Sequence, residues 1–454
     1  MQPFFINKKL IIMPNKVAFY TLGCKLNFAE TSSIGNQFLK EGYEIVDFRN
    51  KADVYVINTC TVTENAEKEC RQVVRRALRL NSGAKIVVTG CYAQLRPEEI
   101  AAIDGVDLVL GSNEKFEIIN HLNQLEEGNP SCIHVTPSDK LSQFHPAYST
   151  GADSRTRAFL KIQDGCDYKC SFCTIPLARG KSRSVDIQTA VDNFKALLDK
   201  GYKEIVLTGV NVGDYGKNIN ARLIDLLEKF VNLNGEFRIR ISSIEPNLLS
   251  DEILELAAST KKIANHFHIP LQSGSDKILK LMHRRYKTAG YENLIYKAVE
   301  KIPDLGIGVD VIVGSPGESG EDFLATYDFI KSLPVSYLHV FTYSERPDTE
   351  AIKMENQVPV NERRRRNNML RILSEKKRAA FYEKMKGKKA EVLFEAAEKD
   401  GFIYGFTSNY IRVKYPFNSA LVNNFKTVNI TEVTNNGCLV ELDNSKIFSE
   451  VSNG

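Results

Sequence analysis

Six of the nine cysteines lie just downstream of short, β-branched or apolar runs, and this placement limits what the 454-residue chain can fold into. Cys166, Cys170 and Cys173 form a C-x3-C-x2-C loop after the candidate strand 158–162. Cys24 follows Leu22-Gly23, Cys60 follows Asn58-Thr59, and Cys91 follows Thr89-Gly90, each past the end of a candidate strand. In an open parallel sheet the carboxyl ends of the strands share one rim, where ligands bind. Cysteines far apart in sequence are therefore expected to meet there.

Soft thiolates favour zinc or iron–sulfur clusters. Structural zinc sites usually close with four ligands, and no fourth Cys or His stands at a matching spacing from Cys173. Three thiolates suit a 4Fe–4S cluster with one iron left open to substrate. The strand-end trio of Cys24, Cys60 and Cys91 is expected to hold a second cluster. Cys70, Cys132 and Cys438 lack this context and read as core or surface bystanders.

Between residues 16 and about 123, strand-like runs (17–22, 54–58, 86–89) alternate with helical stretches (30–41, 63–79). That is the pattern of a parallel sheet with helices on both faces. Residues 128–151, with prolines and serines, read as a linker. A second alternating region offers six strands, at 158–162, 204–208, 237–241, 266–269, 308–313 and 337–341, which suits a partial (β/α)6 barrel. A basic helix over about 361–386 precedes five closely spaced strands, the pattern of a small antiparallel β-barrel. The α/β chain thus divides into an N-terminal open-sheet domain (14–127), a central partial barrel (152–386) and a C-terminal β-barrel (387–454).

No run of 18 or more apolar residues is present, so no membrane span is expected. Lys8 and Lys9 precede an apolar block too short for a secretory signal. Residues 1–12 read as a frayed tail, with Met13 competing with Met1 as initiator. A cytoplasmic location follows, where thiols are more often ligands than cross-links. The net charge of +4 hides a block from 362 to 389 with twelve Lys/Arg against three Glu. Such a block is either a surface that follows phosphates or a solvated helix face. Gly209-Val210-Asn211-Val212-Gly213 matches no phosphate-loop pattern and by itself is a loop. His266 and His268, in a strand-like run, read as core histidines rather than ligands.

The cysteine loop after the first of six βα units resembles the radical S-adenosylmethionine superfamily. From about residue 13 to the C-terminus the chain is similar to the methylthiotransferase family. The resemblance rests on Thr21-Leu22-Gly23-Cys24-Lys25-Leu26-Asn27, Asn58-Thr59-Cys60-Thr61-Val62-Thr63, Thr89-Gly90-Cys91-Tyr92-Ala93-Gln94, His268-Ile269-Pro270-Leu271-Gln272-Ser273-Gly274-Ser275 and Asp310-Val311-Ile312-Val313-Gly314. Gly23-Cys24-Lys25-Leu26-Asn27 and Asn65-Ala66-Glu67-Lys68-Glu69-Cys70-Arg71 look most like the MtaB type, which acts on threonylcarbamoyl-adenosine beside the anticodon. Other members act on isopentenyladenosine in tRNA or on a small-subunit ribosomal protein. Arg346-Pro347-Asp348-Thr349 departs from the family in having Asp where Gly is general, and Ser315 stands where Phe is usual before Pro316.

The resemblance implies that Cys166, Cys170 and Cys173 hold a 4Fe–4S cluster whose open iron binds S-adenosylmethionine. One electron, from a donor such as flavodoxin or ferredoxin, then yields a 5′-deoxyadenosyl radical. It implies a second 4Fe–4S cluster at Cys24, Cys60 and Cys91 that gives up sulfur, and S-adenosylmethionine contacts at Phe172, Gly209, Asn211, Gln272 and Val313. The tail resembles an RNA-binding TRAM domain in Asp400-Gly401-Phe402 and Thr407-Ser408-Asn409-Tyr410-Ile411-Arg412-Val413, which implies the tRNA anticodon arm, and no DNA, as partner.

Overall fold

The computed structural model describes residues 15–60, 64–125, 132–149, 156–434 and 437–443. The expected tail at 1–12, with the choice between Met1 and Met13, lies outside them. The chain divides into two compact units, residues 1–27 with 31–136, and 28–30 with 137–454.

In the first unit the elements run β1 (Lys16–Thr21), α1 (Lys25–Lys40), β2 (Glu44–Val46), β3 (Val54–Thr59), α2 (Glu64–Leu80), β4 (Lys85–Gly90), α3 (Cys91–Leu95), α4 (Pro97–Ala101), β5 (Leu108–Leu110), α5 (Ile118–Asn123) and β6 (Cys132–His134). All six strands are parallel, in the order β2-β1-β3-β4-β5-β6. Every residue of β3 is buried, as expected of a central strand covered on both faces. Val73, Val74 and Ala77 of α2 seal one face, and Ile34, Phe38 and Ile118 seal the other. The three-residue strands β2, β5 and β6 were not expected, because three residues are too few to display a period. Within the segment read as a linker, β6 extends the sheet, so Cys132 is a strand residue beside Leu108.

The second unit opens with β7 (Ala147–Tyr148), β8 (Arg157–Lys161), β9 (Gln163–Asp164), α6 (Ile175–Arg179), β10 (Arg183–Ser184) and α7 (Ile187–Asp199). It continues through β11 (Glu204–Thr208), α8 (Leu223–Val231), β12 (Arg238–Ile241), α9 (Asp251–Ser259), β13 (His266–His268), α10 (Asp276–Leu281), α11 (Thr288–Lys301), β14 (Gly306–Val313), α12 (Gly320–Ser332), β15 (Tyr337–Thr342) and α13 (Val360–Met385). Strands β8, β11 and β12 pair in parallel, as do β13, β14 and β15. Parallel bridges at Ile239↔Ile263 and Ser243↔His268 join the two groups into six consecutive strands. Alternation sets the two faces. Ala158, Leu160, Ile205, Leu207, Ile239, Ile241, Phe267, Ile307, Val309 and Leu338 pack with the helices in one core. The intervening residues, among them Glu204, Arg240, His266, His268, Asp310, Tyr337 and His339, therefore face the opposite side.

Five strands close the tail into a barrel: β16 (Lys389–Lys399), β17 (Phe402–Thr407), β18 (Arg412–Pro416), β19 (Phe425–Thr434) and β20 (Gly437–Leu442), in the order β16-β17-β18-β20-β19. The expectation of a purely antiparallel barrel needs one correction, since β18 and β20 are parallel. A closed ring with an odd number of strands cannot alternate throughout, so at least one neighbouring pair must run together. Cys438 is buried in this barrel's core and Cys70 in that of the first unit, as bystanders should be.

Candidate active site

The C-x3-C-x2-C loop leaves β9 on Gly165, whose φ of +70° and close approach to Lys181 O (2.0 Å from an added Cβ) exclude a side chain. Backbone bonds then pin it: Cys166 N donates to Gly180 O (3.0 Å), Cys173 N to Cys170 O (3.1 Å), and Ala351 N to Ser171 O (2.8 Å). All three thiols are half-buried. Their sulfurs accept from Tyr168 N (3.4 Å), Ile175 N (3.4 Å) and Arg284 Nη1 (3.1 Å). Burial pushes the Cys166 and Cys173 thiols up to about 12. It raises Cys170 as well, against the pull of Arg284. Three thiolates gathered in so dry a place require cations to balance them, and a cluster's irons meet that need. Donors aimed at the sulfurs are also what tunes cluster potentials.

The second trio lies at the carboxyl ends of the adjacent strands β1, β3 and β4. Thr59 and Gly90 are direct Cα partners, so Cys60 and Cys91 leave the sheet side by side. Two glycines at positive φ let the backbones close up. A Cβ on Gly23 (φ +101°) would come 2.9 Å from both Cβ and Sγ of Cys60, and one on Gly90 (φ +96°) would come 2.3 Å from Thr59 O. Asn27 ties the rim by donating to Leu22 O (2.8 Å) and Thr59 O (3.0 Å). Cys24 is exposed at the N-cap of α1, where the helix dipole favours a thiolate. The sequence-predicted trio is thus brought to one rim. Among the described residues neither trio reaches the spacing that would grip a single ion; thiolates on separate irons of a cluster need not.

The expected S-adenosylmethionine contacts divide. Asn211 is buried, and its side-chain amide makes no hydrogen bond of good geometry. Gln272 holds a left-handed backbone (φ +66°) and a buried Oε1 without a hydrogen bond. Strain and an unsatisfied acceptor together mark a functional position. Gly209 is needed for close approach, since an added Cβ would meet Gln163 Oε1 at 2.8 Å. Phe172 lines a small cavity with Met282, Ser315, Pro316 and Met354. Val313 is different: its side chain is in the core among the helices, because alternation turns it away from the concave face. Sequence reasoning missed Thr208 and Ser315, whose buried hydroxyls also lack hydrogen bonds at strand ends. Polar residues ending apolar runs were the available signal. These orphaned donors and acceptors match the amine, carboxylate and ribose hydroxyls of S-adenosylmethionine.

Beneath the site, Glu204 is fully buried between Arg238 Nε (2.6 Å) and Arg240 Nε (2.9 Å). The same guanidiniums donate to Phe406 O (3.0 Å), Thr407 O (3.2 Å) and Ser408 O (3.1 Å) of the tail barrel. His266 meets Tyr337 Oη (2.9 Å) and Tyr410. His266 is buried and bonded through Nε2, whereas His268 sits half-buried on the concave face against Asp310. The basic block on α13 is mixed. Arg363 and Arg366 are buried on Glu345 and Glu318, while Arg364, Arg371 and Lys376 are exposed. On the tail barrel, Arg412 lies over Tyr404 and Lys414 over Phe402. At the departure from the family pattern, Asp348 has φ +66°, which explains why glycine is general there; Asp is one of the few side chains that tolerates it.

Residues 160–330 match the radical SAM superfamily, and residues 16–111 match the uncharacterized protein family UPF0004. A solved radical S-adenosylmethionine methyltransferase, TsrM from Kitasatospora setae, shares the fold at 14% identity, with a TM-score of 0.56 over 85% of this chain and 79% of that one. The fold and cysteine loop define a radical SAM enzyme, a class that uses a 4Fe–4S cluster and S-adenosylmethionine. The threonylcarbamoyladenosine tRNA methylthiotransferase MtaB of Aquifex aeolicus (strain VF5) is 43% identical over 88% of this chain and 96% of its own. Its Bacillus subtilis (strain 168) counterpart is 42% identical over 88% and 90%. A tRNA-2-methylthio-N(6)-dimethylallyladenosine synthase of Fusobacterium nucleatum is 34% identical over 92% and 97%. The chain belongs to the radical SAM methylthiotransferase family and is a transferase. No helix among the described residues is long and apolar enough to cross a membrane.

Proposed function

We propose that the protein adds a methylthio group to carbon 2 of threonylcarbamoyl-adenosine beside the anticodon of tRNA. The observation that supports this best is the pairing of a C-x3-C-x2-C loop with a second cysteine trio at one sheet rim, in a chain about two-fifths identical to enzymes named for that reaction. Cys166, Cys170 and Cys173 would hold the 4Fe–4S cluster that binds S-adenosylmethionine, and Cys24, Cys60 and Cys91 a second. When bound, these groups supply the one-electron chemistry and the sulfur that an unreactive purine carbon requires.

The chain's own residues bind, orient and exclude. Thr208, Asn211, Gln272 and Ser315 offer hydrogen bonds to S-adenosylmethionine. Arg284 and the amides of Tyr168 and Ile175 donate to the cluster thiolates. The charged floor around Glu204 closes the far end of the concave face to water. The target base must leave its stack, at a cost of a few kcal/mol. Aromatic and basic pairs on the tail barrel, with the exposed arginines of α13, hold the RNA by stacking and phosphate contact. The electron comes from a low-potential donor such as flavodoxin or ferredoxin.

Nucleoside mass spectrometry of tRNA from cells with and without the gene tests this reading. Loss of the 2-methylthio derivative of threonylcarbamoyl-adenosine is expected. Loss of the isopentenyl derivative instead favours the activity named for the Fusobacterium relative, and an unchanged tRNA pool with an unmodified ribosomal protein sinks the tRNA reading altogether.

A further inference from the structure

The cysteine loop is held by cations that reach it from three other segments of the second unit. Lys217 Nζ lies 2.8 Å from Asp167 Oδ2. Arg285 donates Nη2 to Asp167 O (3.2 Å), with its guanidinium 3.8 Å from the centroid of the Tyr168 ring. Lys181 follows Gly180, whose carbonyl accepts from Cys166 N (3.0 Å). Burial raises the Asp167 carboxyl, but Lys217, the Ser182 amide and Lys181 bring it below its usual range, so both lysines face it. Lys169 stands within the loop, and its carbonyl meets His283 Nδ1 at 3.0 Å. Lys169, Lys181, Lys217 and Arg285 are all exposed. The acids nearby are already engaged or turned inward. Asp167 accepts from Ser182 N (3.0 Å) and pairs with Lys217, Glu245 is clamped to Arg284, Asp214 is buried, and Glu350 meets His283 at 3.3 Å.

The chemistry so far described uses none of these four cations. They collar the backbone that carries the three half-buried thiols, so an anionic partner drawn to them comes close to the cluster proposed there. Burial raises the Cys170 thiol, and Arg284 and Arg285 both pull it back, which places Arg285 within electrostatic reach of that sulfur. RNA is one polyanion that such a surface could attract, but single-stranded RNA is held by stacking as well as by charge. The ring in this patch, Tyr168, is only 4% exposed and lies under Arg285. A compact acidic protein needs no ring: complementary charge steers it in and fixes its orientation.

Resting on the proposed function, we infer that Lys169, Lys181, Lys217 and Arg285 form the docking surface for a small acidic protein that delivers the low-potential electron. The carrier's reduced group loses one electron and the cluster gains it; no bond is made or broken and no proton moves between them. Such a carrier must bind, deliver and leave. Charge steering suits that cycle, because it speeds association by about 10- to 1,000-fold without requiring a tight complex.

The test uses anaerobic holoenzyme, with flavodoxin as the probe. Binding of oxidised flavodoxin is read by biolayer interferometry at several salt concentrations. Formation of 5′-deoxyadenosine, without RNA, is driven either by reduced flavodoxin or by dithionite, a small reductant that needs no docking. The variants are Lys169→Glu with Lys181→Glu and, as a control that keeps the charge, Lys169→Arg with Lys181→Arg. Iron content and thermal transition report whether each is folded and loaded. We expect the glutamate pair to weaken flavodoxin binding at low salt by about tenfold or more, to flatten its salt dependence and to slow the flavodoxin-driven rate. The dithionite-driven rate should be unchanged, and the arginine pair should behave as wild type. Unchanged flavodoxin binding by a folded, loaded glutamate pair overturns the inference. Equal losses with both reductants overturn it too, since the lysines would then act on the cluster itself. Intact flavodoxin binding with lost affinity for an anticodon stem-loop, read by fluorescence anisotropy, overturns it in favour of RNA. The turnover assay contains no RNA, so an error in the RNA substrate leaves this test standing. A wild type that makes no 5′-deoxyadenosine with either reductant overturns the functional reading itself, and the inference with it.

Discussion

Arg284 donates Nη1 to Cys170 Sγ at 3.1 Å while its Nη2 is held by Glu245. A guanidinium so buried, aimed at a thiol and clamped from behind, would withdraw negative charge from one corner of the cluster that Cys170 is proposed to hold. Arg284→Met should lower the cluster's reduction potential, because hydrogen bonds to sulfur favour the reduced state. A reductive titration followed by electron paramagnetic resonance checks this. An unchanged midpoint would show that the bond does not act on the cluster.

Replacing Cys24, Cys60 and Cys91 by Ala removes the ligands proposed for the second cluster and leaves those proposed for the first. Iron should fall from about eight to about four per chain, the content of two and one 4Fe–4S clusters. Formation of 5′-deoxyadenosine should persist while methylthiolation stops. Loss of both activities together would contradict the division of labour.

Burial works against the Glu204 carboxylate, but Arg238 and Arg240 outweigh it and hold its pKa far below the usual range. Glu204→Gln removes the buried counter-charge that the two guanidiniums share and should cost about 3–5 kcal/mol in denaturant unfolding. Deleting the tail barrel is expected to be similarly disruptive, since its carbonyls at Phe406, Thr407 and Ser408 cap the same guanidiniums.

The double variant Arg412→Ala, Lys414→Ala should weaken binding to tRNA and flatten its salt dependence. Each lost phosphate contact reduces the slope of log affinity against log salt by roughly 0.7–0.9. Affinity measured at several salt concentrations gives the slope; parallel lines for wild type and variant would remove the barrel face from the interface.

Asp322 caps α12. Burial raises its pKa, but bonds from Lys277, Ser319 and Ser275 prevail and bring it down to about 2. A depressed carboxylate adds stability above its unfolded pKa and loses it as pH falls through the folded value. Thermal transitions should therefore decline between about pH 4 and pH 2 through this group. Asp322→Asn should flatten that limb, and an identical acid profile would assign the decline to other carboxylates.

The alternation of apolar runs made β1, β3 and β4 and the six barrel strands legible, because long buried strands must be apolar whatever covers them. Cysteines at their ends could be located for the same reason. Short strands such as β6 carry no period and were hidden inside an expected linker. The parallel pairing of β18 with β20 followed from ring closure, which no local run encodes. Val313 belonged to a motif, yet alternation put its side chain in the core.

The sequence alone located the cysteines proposed to carry the chemistry: residue type, spacing, and position after strands are local properties. Tertiary structure decided what those residues meet. Arg284 and Cys170 are 114 residues apart. His268, Asp310 and His339 come from three strands that only the sheet register brings level. Arg363 and Arg366 of the basic block on α13 are buried against Glu345 and Glu318 rather than facing solvent, because charge is written along the chain whereas burial depends on which surfaces the whole fold brings together.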